Sequence, residues 1–161
     1  MVSLRSILPD DRERILDILT SDKISKTYML PDFKNREDAV QLFLRLMELS
    51  RDENKYVRAI AVGDKVVGFL NHTDIQNKQI ELGYVIHPDS QGQGFMTAAL
   101  KQAMDELFFL GYEEVITGAF SKNTASIRVM EKCAMTRLER SDEIKYRGTV
   151  HTCVYYRKIQ E

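Results

Sequence analysis

Residues 87 to 100 read HPDSQGQGFMTAAL, and they hold Gly92 and Gly94, two of only eight glycines in 161 residues. A strand-like apolar run ends just before these glycines and a helix-like run begins just after them. The first four N–H groups of a helix lack internal partners, and the helix dipole adds partial positive charge at that end. Without Cβ atoms, Gly92 and Gly94 let a phosphate approach several of those donors. Each charge-assisted contact is worth about 1.5–3 kcal/mol. The same spacing also suits a plain strand-to-helix turn, so the glycines alone do not settle the chemistry. Two phosphate motifs are excluded. A P-loop needs Gly-Lys-Ser or Gly-Lys-Thr, whereas Gly94 precedes Phe95, Met96 and Thr97. A dinucleotide site needs a third glycine and an acidic residue about 20 positions on, where this chain has Gly118, Ala119 and Phe120.

The elements that must carry this loop follow from hydrophobic period. After Pro9 and Asp10, the residues Ile15, Ile18 and Leu19 share one helical face; after Asn35, so do Ala39, Leu42, Phe43, Leu46 and Leu49. YVRAIAV, a Gly63-Asp64 turn, VVGFLNHT, a turn near Asn77 and QIELGYVIH predict a three-strand antiparallel meander. Leu100, Ala103, Met104, Leu107 and Phe108 then keep helical spacing as far as Gly111, and EVITGAF follows as a strand. A strand-helix-strand crossover makes its two strands parallel, so the predicted sheet is mixed. A helix near residues 124 to 133 and strands through TRLERSDEI and HTCVYYRKI complete an α/β chain.

Composition bounds the setting. A chain of 161 residues suits one domain, spanning 1–161, that buries roughly 70% of its unfolded surface. With 23 Lys and Arg against 24 Asp and Glu, no basic footprint for nucleic acid stands out. No apolar run reaches the length of a membrane span or a signal core, which fits a cytoplasmic protein. Cys133 and Cys153 form no CxxC or other metal-ligand pattern and read as reduced core thiols, with no metal site.

The run IELGYVIHPDSQGQGFMTAAL, followed by KNTASIRVMEKCAM, resembles the Gcn5-related N-acetyltransferase (GNAT) superfamily, most of all its ribosomal-protein N-terminal acetyltransferase branch, across about residues 56 to 158. The resemblance implies a mixed, largely antiparallel sheet with a parallel pair at the cofactor site, flanked by helices. It implies acetyl-CoA as co-substrate, with the diphosphate held by Gln91, Gly92, Gln93, Gly94, Phe95, Met96 and Thr97. Asn123 would touch the pantetheine arm, and an N–H near Val85 or Ile86 would meet the developing oxyanion. Met96, Ala134 and Met135 depart from the usual Gly/Ala, Gly and Phe, and Met130 stands where many relatives carry an acidic tyrosine. Gly148 and Tyr156 fit the branch's tail, but Thr152 replaces its Asp.

Acetyl transfer to an amine also needs a base and an acid. In QIELGYVIH the residues Glu81, Gly83, Val85 and His87 share one face, so Glu81 is the candidate base and Gly83 leaves room beside it. The resemblance makes Ser126 the candidate acid for the CoA sulfur. The plain alternatives are a solvent-facing Glu81 and a Ser126 that only serves a helix start capped by Asn123. Arg128 and Lys132 could approach the CoA phosphates but read first as a solvated basic face, and His72, His87 and His151 as non-catalytic. The acceptor is expected to be a primary amine, foremost a protein or peptide N-terminal α-amine, with a homodimer possible. A small-molecule amine, or an acyl-CoA-binding module without catalysis, are the alternatives.

Overall fold

The computed structural model describes residues 1–161 and contains a seven-stranded sheet in the order β1-β2-β3-β4-β5-β7-β6. Its strands are β1 (Val2–Arg5), β2 (Val57–Val62), β3 (Lys65–Gln76), β4 (Gln79–Ile86), β5 (Glu114–Phe120), β6 (Thr136–Tyr146) and β7 (Thr149–Ile159). The helices are α1 (Arg12–Leu19), α2 (Asp22–Ser25), α3 (Arg36–Leu49), α4 (Phe95–Phe109) and α5 (Thr124–Lys132). β4 and β5 are the parallel pair, joined by the α4 crossover; every other neighbouring pair is antiparallel. This is the mixed sheet that the hydrophobic period predicts.

The sheet is buried on both faces. Ile80, Leu82 and Val115 pack with Leu100, Ala103 and Met104 of α4 on one side. Val57, Phe69 and Val85 pack with Ile15 and Ile18 of α1 and Phe43 of α3 on the other. Alternation along β4 sends Ile80 and Leu82 to the first core and Val85 to the second, as a period of two requires. No helix is long and apolar enough to cross a membrane.

Two features escaped the sequence reading. VSLR forms β1, an edge strand held by four register pairs with β2, and DKIS forms the single turn α2 with Ser21 as N-cap. Both segments are too short to display a period.

One irregularity positions the site. β4 and β5 pair only from Gln79 with Glu114 to Leu82 with Thr117. Beyond that point β4 stays with β3 through Ile86, while β5 stays with β7 through Phe120. The strands fork at Gly83, and the edge of β4 that faces the fork has no strand partner.

Candidate active site

The fork opens into a cavity of about 620 Å³. Its walls come from α2 and the loop after it, the last residues of β4, the loop 90–94, the start of α4, and α5. Each element arrives for a local reason. Gly94 is the N-cap of α4 with φ +78°, and Gly92 has φ +76°, a region that L side chains rarely adopt. A Cβ at either glycine would meet nothing within 4 Å, so backbone conformation rather than crowding calls for glycine, and the space above the helix N-terminus is open. Asn123 caps α5, its side-chain oxygen accepting from Ser126 N–H at 3.1 Å.

Val85, Ile86, all residues from Gln91 to Thr97, Asn123 and Ser126 line this cavity together. Glu81 does not. Its carboxylate lies on the same face of the sheet as Val85, but one oxygen accepts from Arg140 Nη1 at 3.1 Å and the other from Thr73 Oγ1 at 3.1 Å. The room expected beside Gly83 is roofed by Tyr28, whose hydroxyl would lie 3.5 Å from a Cβ there and donates to Asn71 Oδ1 at 2.9 Å. Tyr28 also lines the cavity, so it stands between the cavity and the Glu81 side of β4.

Arg128 and Lys132 are exposed, and they line the cavity together with Lys23 and Lys26 of the α2 region. None of the four cations forms an ion pair with the protein. The cavity wall contains no carboxylate. Lys23 and Lys26 were invisible beforehand because nothing in DKISK marks a turn of helix that folds back over a distant loop.

Sequence reasoning also missed Tyr84. Its position on β4 read as an apolar core contact, but its hydroxyl reaches across the fork to α5. There it donates to the Ser126 carbonyl at 3.0 Å and accepts from Ser126 Oγ at 2.8 Å. Burial pushes the Tyr84 pKa well above the usual phenol range, so the hydroxyl stays protonated. Met130, at the position where relatives carry a tyrosine, is fully buried in the core and does not line the cavity.

The other departures are structural. Met96 and Met135 are buried in the α4 core. Ala134 has φ +57° just beyond the α5 C-terminus, where Met135 N–H donates to the Met130 carbonyl. That is the left-handed position a glycine would fill without strain.

His87 is held between Asp17 Oδ2, 3.2 Å from Nε2, and the Asp89 N–H, which donates to Nδ1. Arg14 grips the Asp89 carboxylate through two hydrogen bonds of 2.7 and 3.0 Å. That grip comes first among the causes that hold the Asp89 pKa far below the usual carboxylate range. These residues fasten the segment before the glycine loop to α1.

Residues 2–136 match the sequence profile of the acetyltransferase (GNAT) domain. The chain belongs to the GNAT family. Solved structures of the same fold include the microcin C7 self-immunity acetyltransferase MccE in complex with acetyl-CoA and AMP, with TM-score 0.84 and 21% identity, covering 99% of this chain and 92% of that one. The ribosomal L7/L12 α-N-protein acetyltransferase RimL in complex with coenzyme A gives 0.84 and 19%, covering 98% and 93%. The spermidine N-acetyltransferase from Vibrio cholerae, in complex with CoA and spermine, gives 0.83 and 16%, covering 99% and 95%. The GNAT domain makes the protein an acetyltransferase, and its cavity suits an anionic co-substrate. The α4 N-terminus is open above two glycines, and four unpaired cations line the cavity with no carboxylate to repel an anion.

Proposed function

We propose that this GNAT protein moves the acetyl group of acetyl-CoA onto a primary amine, with a peptide N-terminal α-amine as the preferred acceptor. The observation that carries the transfer is the fork: β4 separates from β5 at Gly83, directly beside the glycine loop, so a thioester held by that loop would lie along unpaired backbone of Val85 and Ile86. An N–H on that edge would stabilise the developing oxyanion. Ser126 would protonate the departing thiolate and take back a proton from the open cavity, while Tyr84, hydrogen-bonded to both its hydroxyl and its carbonyl, would hold it in place.

Glu81 is the proposed base, acting through water past Tyr28, which roofs Gly83, on an amine seated in the cavity. It faces the same side of β4 as Val85, and the cavity wall itself offers no carboxylate. A single base of this kind suits an amine that is easily deprotonated. At pH near 7.4 an α-amine costs under about 1 kcal/mol to deprotonate, against roughly 4 kcal/mol for a lysine. The rim cations Lys23, Lys26, Arg128 and Lys132 would repel a polyamine, which disfavours the chemistry of the spermidine neighbour. Met96, Ala134 and Met135 leave the glycine-loop amides untouched, so they give no support to a merely binding role.

The test is turnover with acetyl-CoA and a panel of Ser-, Ala- and Met-initiated peptides, spermidine and small amines, with products read by mass spectrometry. Acetylation at peptide α-amines is expected. Acetylation of spermidine alone, or of no amine while coenzyme A binds, overturns the acceptor assignment.

A further inference from the structure

Two irregularities in the sheet converge on one carboxylate. β3 slips register against β4 between His72 and Asp74, which takes Thr73 out of the ladder. β6 slips against β7 between Arg137 and Ser141, which frees Leu138, Glu139 and Arg140. Bulges interrupt pairing and re-aim side chains. Here each re-aimed side chain ends on Glu81: Thr73 Oγ1 donates to Oε2 and Arg140 Nη1 to Oε1, both at 3.1 Å.

Arg140 is itself fixed from several sides. Its Nη2 donates to Asp142 Oδ2 at 3.4 Å, and its guanidinium lies 3.7 Å from the centroid of the Tyr155 ring. The Tyr155 hydroxyl donates to the same Asp142 oxygen at 2.7 Å. The ring in turn needs Gly118 beneath it, because a Cβ there would fall 2.7 Å from Cε1 of Tyr155. Burial alone would lower the Arg140 pKa, but Glu81, Tyr155 and Asp142 together raise it, so the guanidinium stays charged. Asp74, the ladder partner of Glu81 across β3, adds a like charge that Arg140 offsets.

Residues from four strands thus serve one carboxylate on a fifth. Half-exposed ion pairs contribute little to stability, and two interrupted ladders subtract from it, so folding alone gives the arrangement little purpose.

We propose that Arg140 and Thr73 are positioning residues for the reaction: they hold the Glu81 carboxylate in one orientation on the Gly83 face of β4. This rests on Glu81 as the base. Holding a proton acceptor in place is worth rate, since small misplacements of a catalytic group cost on the order of 10- to 100-fold.

The test uses the full chain with acetyl-CoA and a Ser-initiated tripeptide amide, comparing wild type with Glu81→Gln, Arg140→Met, Arg140→Lys and Thr73→Val. Arg140→Met is expected to lower kcat at least about tenfold, with the KM for acetyl-CoA unchanged. Arg140→Lys should recover part of the rate, and Thr73→Val should lower kcat by a smaller factor. Added to Glu81→Gln, Arg140→Met should cost no further rate. If it does cost rate there, or if Arg140→Met keeps wild-type kcat while Glu81→Gln loses rate, the positioning role is overturned. Full rate in Glu81→Gln overturns instead the reading of Glu81 as base.

Discussion

Ser126 holds three hydrogen bonds at once: its N–H caps onto Asn123, its carbonyl accepts from Tyr84, and its hydroxyl donates to Tyr84. A serine needed only to begin a helix would require the first of these alone. The hydroxyl contact is the one that a plain helix-start reading does not foresee, and it forms because β4 leaves β5 and swings Tyr84 toward α5. If Ser126 is the acid, Ser126→Ala should lower kcat about 100-fold in single-turnover assays while coenzyme A affinity, measured by calorimetry, stays within about twofold. Tyr84→Phe keeps the ring but loses both contacts, and a smaller loss of about tenfold is expected, since Ser126 keeps its proton but loses the phenol that places it. Unchanged kcat in Ser126→Ala would leave Ser126 a helix-start residue only. Because burial raises the Tyr84 pKa, no alkaline fall in rate below pH about 10 should trace to this phenol.

Two elements show how a single methyl group costs stability for different reasons. Ala134 closes α5 at φ +57°, a conformation that costs an L residue about 1–2 kcal/mol. Ala134→Gly should therefore stabilise the protein by about 1 kcal/mol, seen as a rise in Tm of about 2–4 °C. Gly118→Ala should destabilise by about 1–3 kcal/mol in urea titrations, because the Tyr155 ring that a Cβ would strike is pinned between Asp142 and Arg140. The α5 end was partly legible, since Ala134 stands out against the glycine of related sequences while the strain it carries appears only in the dihedral. The strands from YVRAIAV to EVITGAF and the helices with strong apolar faces were legible too, because period two and period 3.6 are local signals. The placement of Gln91 to Thr97 on one cavity followed from the strand-to-helix turn. Tyr28, Tyr84, Lys23 and Arg140 were not legible, because each reaches the site through a long-range event: a fork, a folded-back turn or a bulge. No local pattern encodes such an event, and alternation could place Glu81 on a face without saying which cation would meet it there.

At the scale of the molecule, the sheet separates two cores, and the candidate site lies where that separation fails, at the fork. The residues that close this region are unusually rich in buried phenols. Of seven tyrosines, four have pKa values raised chiefly by burial: Tyr28 roofs Gly83, Tyr84 bridges the fork, Tyr155 supports Arg140, and Tyr56 lies in the α4 core. A phenol whose pKa is higher folded than unfolded binds its proton more tightly in the folded state. Its contribution is therefore complete below the unfolded value, about 10, and is lost as pH rises through the folded value. Three of the four sit at the fork or beside Glu81, so ionisation should open the site and the fold together. An alkaline titration followed by tyrosinate absorbance and far-UV circular dichroism should show these four phenols ionising only as the dichroism signal collapses. Coenzyme A, by holding the two arms of the fork, should move that collapse to higher pH. Smooth ionisation of all seven tyrosines before any loss of dichroism would show that the fork region breathes open while the two cores stay folded.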